Sequence, residues 1–558
     1  MQTKITLLAT AAMASLLLPA TAYAGSAAHQ KHHHIRHTVR KAHVVSHSAV
    51  DATGGLRQEV DSLKAEVASL HQELDAQRQQ SASTQAQLAE TQTQVGAVHS
   101  QVAASVDVAR AEVKSQIHSA IEAEHRKDHI DYKGLRITPG GFLELAGIYR
   151  EHYLGQDLPS SFQNIPFPNS RPGQLSEGRF SARQSRLSFL AEGAVNPTTK
   201  LSMYGEFDFL GAAQTANSNE SNSYNPRIRH LYATIDWTKG DGGIHLLAGQ
   251  NWSLVTLNSK GITPRNEITP PQIDAQYVPG FAWARQPQVR LTADTLNHSL
   301  WFAVSAENAA TTTAGPVPSN VVANLAGSGG FNSVNSYSYN NVPDFVGKVA
   351  YEGKIAGRTL HLEGFGLYRT FTERLTNGTT STTSGHGYGG SIMLQVAPSI
   401  LDIQFSIMHG RGIGRYGSSQ LADVTYRPDG TIQPLQETML LGGVTLHATK
   451  MLDIYGFAGE EYVASEDYGS VGGTLYGYGN SLLNNTGCLT EGGTCAGNNQ
   501  KVRQATAGFW QKIYQGSFGR AQVGIQYSYT ERSLFTGVGG APTTSDNMAF
   551  LSFRYYPF

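Results

Sequence analysis

The stretch AFLSFRYYPF, residues 549–558, ends the chain and is the strongest indication of its fold class. Polar and apolar or aromatic side chains alternate along it, up to the final Phe558. Alternation of this kind predicts a β-strand, because successive side chains of a strand point to opposite faces. The last residues of a soluble domain usually fray. A strand that runs to the last residue therefore predicts a partner strand, as in a closed barrel, where the last strand pairs with the first.

Short alternating runs separated by turn residues extend back from this stretch to Gly134. Connections after even-numbered runs are tight turns, whereas those after odd-numbered runs are longer, for example 253–283 and 307–342. This alternation predicts an all-β transmembrane barrel of about 16 antiparallel strands over residues 134–558, with short periplasmic turns and long outer loops. A secreted β-sandwich with a stalk would leave the alternation unexplained. The predicted strands lie near 140–154, 179–194, 200–210, 226–238, 243–252, 284–294, 297–306, 343–353, 357–373, 384–396, 400–411, 437–447, 451–462, 500–514, 518–530 and 545–558.

Three further segments precede the predicted barrel. Residues 1–24 combine a basic start, a short apolar run and the sequence AYA, which predicts a secretory signal peptide rather than a retained anchor helix. Residues 25–52 are His-rich and basic, which predicts a disordered tether; metal binding is the alternative. Residues 53–128 carry an apolar heptad seam with a stutter after Val102, which predicts a periplasmic α-helical coiled coil. Val at a and Leu at d favour two strands.

The two cysteines lie close together in a polar, Gly-rich stretch. Export to an oxidising compartment favours a disulfide between Cys488 and Cys495 within the seventh outer loop, and two free thiols are the alternative.

Composition and motifs argue against several classes of function. The net charge of −1 does not suggest nucleic acid as a partner. The sequence GIGRYG at 412–417 matches a phosphate-loop pattern but lacks the strand-then-helix context. Because no nucleophile–base motif occurs, we predict that the protein is not an enzyme and needs no cofactor or catalytic metal.

Strand parity predicts which cations face the lumen of the barrel. Val289 and Leu291 are apolar and predicted to face lipid, so Arg290 faces inward. The same argument turns Arg186 and Lys348 inward, because a charge facing lipid costs about 2–4 kcal/mol near the midplane. Pairing with lumenal acids such as Asp236, Asp208 or Glu206 is the alternative role of these cations.

The third long connection, 253–283, is rich in Pro and mixed in charge, unlike the other long loops. Its composition predicts a stiff loop that folds into the lumen and narrows it; packing between subunits is the alternative. The residues expected to line the narrowed passage are Lys260, Arg265, Glu267 and Asp274.

Four sequences resemble the DcaP-like outer-membrane porins: GGFLELAGIYR, RHLYATIDW, LLAGQNW and PPQIDAQYVPGFAWARQPQVRLT, at 140–150, 229–237, 246–252 and 270–292. The resemblance implies a trimeric porin with a periplasmic coiled coil and uptake of small anions such as dicarboxylates. It also implies that Arg265, Arg285 and Arg290 lie at a constriction. We favour the trimer over the two-stranded coil, because contacts between barrels should outweigh a seam that is polar in its middle.

The sequence therefore predicts an outer-membrane porin for passive diffusion of small hydrophilic solutes, with a preference for small anions. Its expected partners are two further copies of the chain, outer-membrane lipid and small anionic solutes. The alternative is a structural tether between the outer membrane and the cell wall, made through the N-terminal tract, with a closed or incidental pore.

Overall fold

The computed structural model describes residues 100–114, several positions between 90 and 98, and residues 129–211, 225–322 and 340–558. The chain divides into two compact units, Met1–Val113 and Lys114–Phe558. The predicted signal peptide, the His-rich tract and most of the predicted coiled coil lie outside the described residues. Residues 100–113 are helical, and the seam residues Val102, Val106 and Val113 are exposed. None of the helices within the described ranges has both the length and the apolar character for crossing a bilayer.

The second unit is a closed barrel of sixteen antiparallel strands. Two short segments, Ile130–Tyr132 and Glu177–Ser181, add further pairing along the first strand. The barrel strands are β1 Leu135–Arg150, β2 Arg186–Asn196, β3 Thr199–Gly211, β4 Asn225–Lys239, β5 Gly242–Trp252, β6 Arg285–Thr295, β7 Leu300–Glu307, β8 Asp344–Ile355, β9 Arg358–Arg374, β10 Thr380–Ala397, β11 Leu401–Arg411, β12 Gln436–His447, β13 Leu452–Val463, β14 Asn499–Gly516, β15 Gly519–Leu534 and β16 Thr543–Tyr556.

The last strand closes the barrel on the first. Leu143 of β1 lies opposite Tyr555 of β16, and the pairing continues to Arg150 opposite Met548. This pairing gives the C-terminal stretch the strand partner that its alternation predicts. The closed sixteen-stranded barrel predicted from the sequence is thereby confirmed.

Side chains alternate between the two faces of the wall as the sequence predicts. On β6, Val289 and Leu291 are exposed on the outer face, whereas Gln288 and Arg290 are buried inside. On β16, Leu551 and Phe553 face outward, and Arg554 faces inward, where its Nε donates to Oε1 of Glu144 at 3.0 Å. The barrel therefore presents an apolar surface outside and a polar surface inside.

The connections divide the barrel into two ends. At the turn end, strands are joined by tight turns, such as residues 240–241 between β4 and β5 and residues 356–357 between β8 and β9. At the loop end most connections are long. The connection of residues 375–379 between β9 and β10 is an exception that the sequence reading did not identify. These two strands continue their pairing up to Arg374 opposite Thr380, which leaves a short hairpin.

Long loops fill much of the loop-end half of the barrel. Phe162 of the first loop, Leu421 and Leu435 of the sixth loop and Phe535 of the eighth loop belong to one buried apolar cluster. Leu158 and Ile165 of the first loop are fully buried in a second cluster, against inward residues of β1 and β16. The lumen in this half is consequently packed with side chains.

Candidate functional site

The third loop, residues 253–284, crosses the lumen from β5 to the opposite wall. The indole Nε1 of Trp510 on β14 donates to the carbonyl of Pro271 at 2.8 Å. The N–H of Gly280 donates to Oε1 of Glu461 on β13 at 2.7 Å. Gly280 has a positive φ of 88°, and a side chain there would collide with the carbonyl of Leu440. The loop therefore lies against the far wall, inside the barrel, as its composition predicts.

Apolar packing fixes the middle of this loop. Ile273, Val278 and Phe281 are almost completely buried, and their side chains belong to a cluster that joins the loop to strands on both walls. Each such side chain contributes roughly 1.5–3 kcal/mol when it is withdrawn from water. The loop is thus a folded part of the barrel interior. The wall residues of this cluster include Trp252, Leu441, Tyr455, Phe457 and Trp510.

Lys348 anchors the first part of the loop. Its Nζ donates to the carbonyl of Thr256 at 2.7 Å and to Oδ1 of Asn258 at 3.1 Å, and lies 2.9 Å from Oε2 of Glu363. An ammonium group has three N–H donors, so none remains for a solute. The sequence placed Lys348 among the anion-binding residues. The structure places it inward but fully buried, because the loop covers it.

Arg290 is inward, as its parity predicts, and it is also held by the protein. Its Nη2 donates to the carbonyl of Trp252 at 2.6 Å, and its Nε donates to Oε1 of Gln288 at 3.0 Å. Its Nη1 lies 4.0 Å from Oε1 of Glu267 in the loop. Arg290 nevertheless borders a cavity of about 890 Å³ that Arg265 also borders, so the two arginines share one space below the loop.

The four loop residues expected to line the passage divide into two pairs. Lys260 and Arg265 are exposed, and Arg265 has a positive φ of 68°. Its guanidinium carbon lies 5.7 Å from the centre of the Tyr204 ring on β3. Glu267 and Asp274 are buried instead, and burial raises the pKa of both carboxyl groups. They do not line the passage, because they turn into the packed side of the loop.

A cluster of arginines and acids lies on the wall formed by β2, β3 and β4. Nη2 of Arg227 lies 2.7 Å from Oδ2 of Asp208, and Nη1 of Arg229 lies 3.1 Å from the same atom. Nε of Arg229 also lies 2.5 Å from Oε1 of Glu206. Nη1 of Arg186 lies 3.8 Å from the same Glu206 atom. The acids therefore neutralise only part of the arginine charge.

Sequence reasoning missed Arg229 as part of this wall. Strict alternation along β4 would turn Arg229 to the face opposite His230. The pairing of β3 with β4 shifts register between Glu206 and Phe207, so Arg229 and His230 are both buried in the lumen wall. A β-bulge of this kind places two successive residues against one partner residue. The run RIRH at 227–230, which places polar side chains on both parities, is the sequence signal that points to a bulge.

Arg285 and Tyr277 complete this basic region. The guanidinium carbon of Arg285 lies 4.8 Å from the centre of the Trp252 ring, and its Nη1 has no hydrogen-bond partner among the described residues. Burial opposes ionisation of the Tyr277 hydroxyl, yet Arg229, Arg186 and Arg285 lower its pKa to about 8. A depressed phenol pKa indicates a positive potential where the loop faces this wall.

The exposure of the inward cations shows where the lumen is open. The side chains of Arg183, Arg186 and Arg227, near β2 and β4, are 20%, 19% and 33% exposed. Those of Lys348 and Arg369, on β8 and β9, are 0% exposed. Of these five cations, water therefore reaches the three near β2 and β4 but not the two on β8 and β9. This open side can attract small anions. The described residues contain no group of three or more His, Cys, Asp or Glu residues suited to a metal ion.

Cys488 and Cys495 are joined by a disulfide in the connection between β13 and β14, which is the seventh outer loop.

A closed antiparallel barrel of sixteen strands with an inserted loop is a porin fold. The outer membrane channel DcaP of Acinetobacter baumannii matches it with a TM-score of 0.55 and 19% identity, over 77% of this chain and 99% of that chain. The match confirms, at the level of the fold, the resemblance found in the sequence.

Further structures match with lower scores, among them two other outer-membrane proteins. An anion-selective porin from Comamonas acidovorans has a TM-score of 0.40 and 12% identity over 76% of this chain and 99% of that chain. OprB of Pseudomonas putida has a TM-score of 0.41 and 10% identity over 75% of this chain and 94% of that chain. No protein-family model and no curated protein matches the chain.

Proposed function

We propose that the protein is an outer-membrane porin through which small hydrophilic solutes diffuse passively, with a preference for small anions. The observation that carries this proposal is the open, basic side of the lumen, where Arg186 and Arg265 are accessible while Lys348 and Arg369 are buried. Accessible cations beside a narrow passage raise the local concentration of anions.

Arginine geometry supports carboxylates as the favoured solutes. A guanidinium group binds a carboxylate through two parallel hydrogen bonds. Arg265 is exposed and Arg290, although buried, borders the same cavity, so a dicarboxylate there would lie close to two guanidinium groups. Several of the arginines are partly neutralised by Glu206, Asp208 or Glu267, which supports weak binding of the kind that lets a solute leave again.

The proposed setting of the barrel follows from its surfaces and from the N-terminal sequence. An apolar outer face suits the hydrocarbon core of a membrane, and a closed barrel leaves no unpaired edge strand in lipid. Residues 1–24 would direct export, residues 25–52 would form a tether and residues 53–128 a periplasmic coiled coil. We propose a homotrimer that acts by diffusion alone, without catalysis or a cofactor.

A structural tether with a closed pore is the second candidate. The packed loop-end half of the lumen favours it, because buried apolar side chains from the first, sixth and eighth loops occupy that space. Single-channel recording separates the two candidates. A porin gives discrete conductance steps in a planar bilayer, whereas a closed barrel gives none.

The anion preference is tested by replacing Arg265 and Arg290 together with Ala. We expect the reversal potential in a salt gradient to shift towards zero while conductance persists, because the passage does not become narrower. High salt should reduce the difference, since the Debye length falls to about 3 Å at 1 M. Arg503→Ala, which removes an outer-face cation, is the control. An unchanged reversal potential in the double variant would exclude these two arginines from the selective passage.

A further inference from the structure

A second cavity, of about 400 Å³, lies at the turn end of the lumen. Residues 262–266 of the third loop border the larger cavity, whereas residues 268–272 border this one. Successive stretches of the loop therefore border two separate cavities. None of the residues that the sequence singled out for anion binding borders the second space except Arg186. Its cationic lining residues are Arg186, Lys512, Arg520 and Arg554.

Aromatic rings hold three of these cations. The guanidinium carbon of Arg520 lies 4.1 Å from the centre of the Tyr556 ring. That of Arg554 lies 4.4 Å from the centre of a Trp510 ring, and that of Arg186 lies 5.2 Å from the centre of the Phe142 ring. Contact with a ring face fixes a guanidinium group but leaves the N–H donors at its edge available.

Several polar atoms of this lining have no partner among the described residues. The Nε atoms of Arg186 and Arg520 are buried without a hydrogen bond, and so are both amide atoms of Gln272 in the loop. The Gln272 residue is only 2% exposed. Leaving a buried donor or acceptor unsatisfied costs about 1–3 kcal/mol. Three of these four atoms are N–H donors, and three unsatisfied donors at a single cavity point to a bound acceptor. The fourth, Oε1 of Gln272, is itself an acceptor and cannot donate to one.

The charge of the cavity is uneven. On the β11–β13 side, Nδ1 of His447 lies 2.6 Å from Asp453, and Nε2 lies 3.4 Å from Asp402. Nζ of Lys512 also lies 3.2 Å from Asp453. On the other side, Arg554 is paired with Glu144, but Arg520 has no carboxylate at ion-pair distance within the described residues. The guanidinium group of Arg520 is thus the positive charge that no carboxylate of the described residues neutralises.

We propose that this cavity is a second anion-binding site, which takes a small carboxylate between Arg520, Arg186 and Gln272. The inference rests on the proposed porin function and extends it. An anion that has passed the third loop would be held here, next to the turn end, before it leaves the barrel. The site differs from the space that Arg265 and Arg290 share, because the two cavities have no lining residue in common.

Succinate is the probe for the test, which uses the full chain. Isothermal titration in detergent measures binding, and succinate block of the single-channel current measures occupancy during conduction. Arg520→Gln should weaken succinate binding and succinate block of the current by about tenfold each, as expected for the loss of one charge-assisted hydrogen bond. Lys354→Gln removes a turn-end cation that borders neither cavity, and it should leave both unchanged.

A second variant protects the test against misfolding of the first. Gln272→Leu removes an unpartnered buried amide, so we expect it to weaken succinate binding while thermal stability is kept or raised. If both variants bind succinate like the wild type, the site is overturned, and water rather than a solute satisfies these atoms. The porin assignment would survive that result as long as the wild type conducts. A wild type without conductance steps would instead overturn the porin assignment itself.

Discussion

The buried pair of Lys348 and Glu363 provides a quantitative test of how the third loop is held inside the barrel. The two side chains are 2.9 Å apart and 0% exposed. Replacing Lys348 by Met leaves Glu363 buried without its cation, which costs about 3–5 kcal/mol in buried pairs. Glu363 would keep two contacts, with the N–H of Asn258 at 3.0 Å and with Nε2 of His361 at 3.0 Å. We therefore expect a loss of about 3 kcal/mol, at the lower limit.

Removing both charges separates the contribution of the ion pair to the free energy of unfolding from that of side-chain packing. The double variant Lys348→Met with Glu363→Gln leaves no unpaired charge and keeps an acceptor for Asn258, so we expect it to lose only about 1 kcal/mol. The free energy of unfolding is measured by denaturant titration of the full chain in lipid vesicles, for the wild type, both single variants and the double variant. Arg503→Gln, which breaks an exposed pair with Glu531 at 2.9 Å, should cost less than about 1 kcal/mol.

The result that would refute this reasoning is additivity. If the losses of the two single variants sum to the loss of the double variant, the charges are not coupled. The ion pair with Glu363 would then contribute nothing to holding Lys348 beneath the loop.

Three further predictions concern other parts of the chain. Tyr277 has a pKa of about 8, and its ionisation adds a negative charge beside the arginines. Anion preference should therefore fall between pH 7 and pH 9 in the wild type but not in Tyr277→Phe. Equal reversal potentials of the wild type at the two pH values would contradict this. Replacing Cys488 and Cys495 by Ser should increase proteolysis of the seventh loop without changing conductance. In the wild type, mass spectrometry should find neither cysteine alkylated before reduction. Deleting residues 25–128 should leave a folded trimer in mild detergent, and a monomer would show that the coiled coil sets the assembly.

Local patterns in the sequence determined the barrel. A period of two residues reports which face of a strand is apolar, and turn residues report where a strand ends, so both are local in the chain. AFLSFRYYPF required a partner strand, and β1 supplies it. The inward direction of Arg290, Arg186 and Lys348 followed from the same parity.

Only the tertiary structure decided which of these cations a solute can reach. Parity gives the direction of a side chain but not its partners, which come from residues distant in the chain. Lys348 is sealed by the third loop, whereas Arg186 stays partly open. The bulge that brings Arg229 inward likewise depends on pairing between β3 and β4. The fold could be predicted from the sequence because its signals are local. The accessible charges could not, because burial and charge pairing arise from long-range contacts.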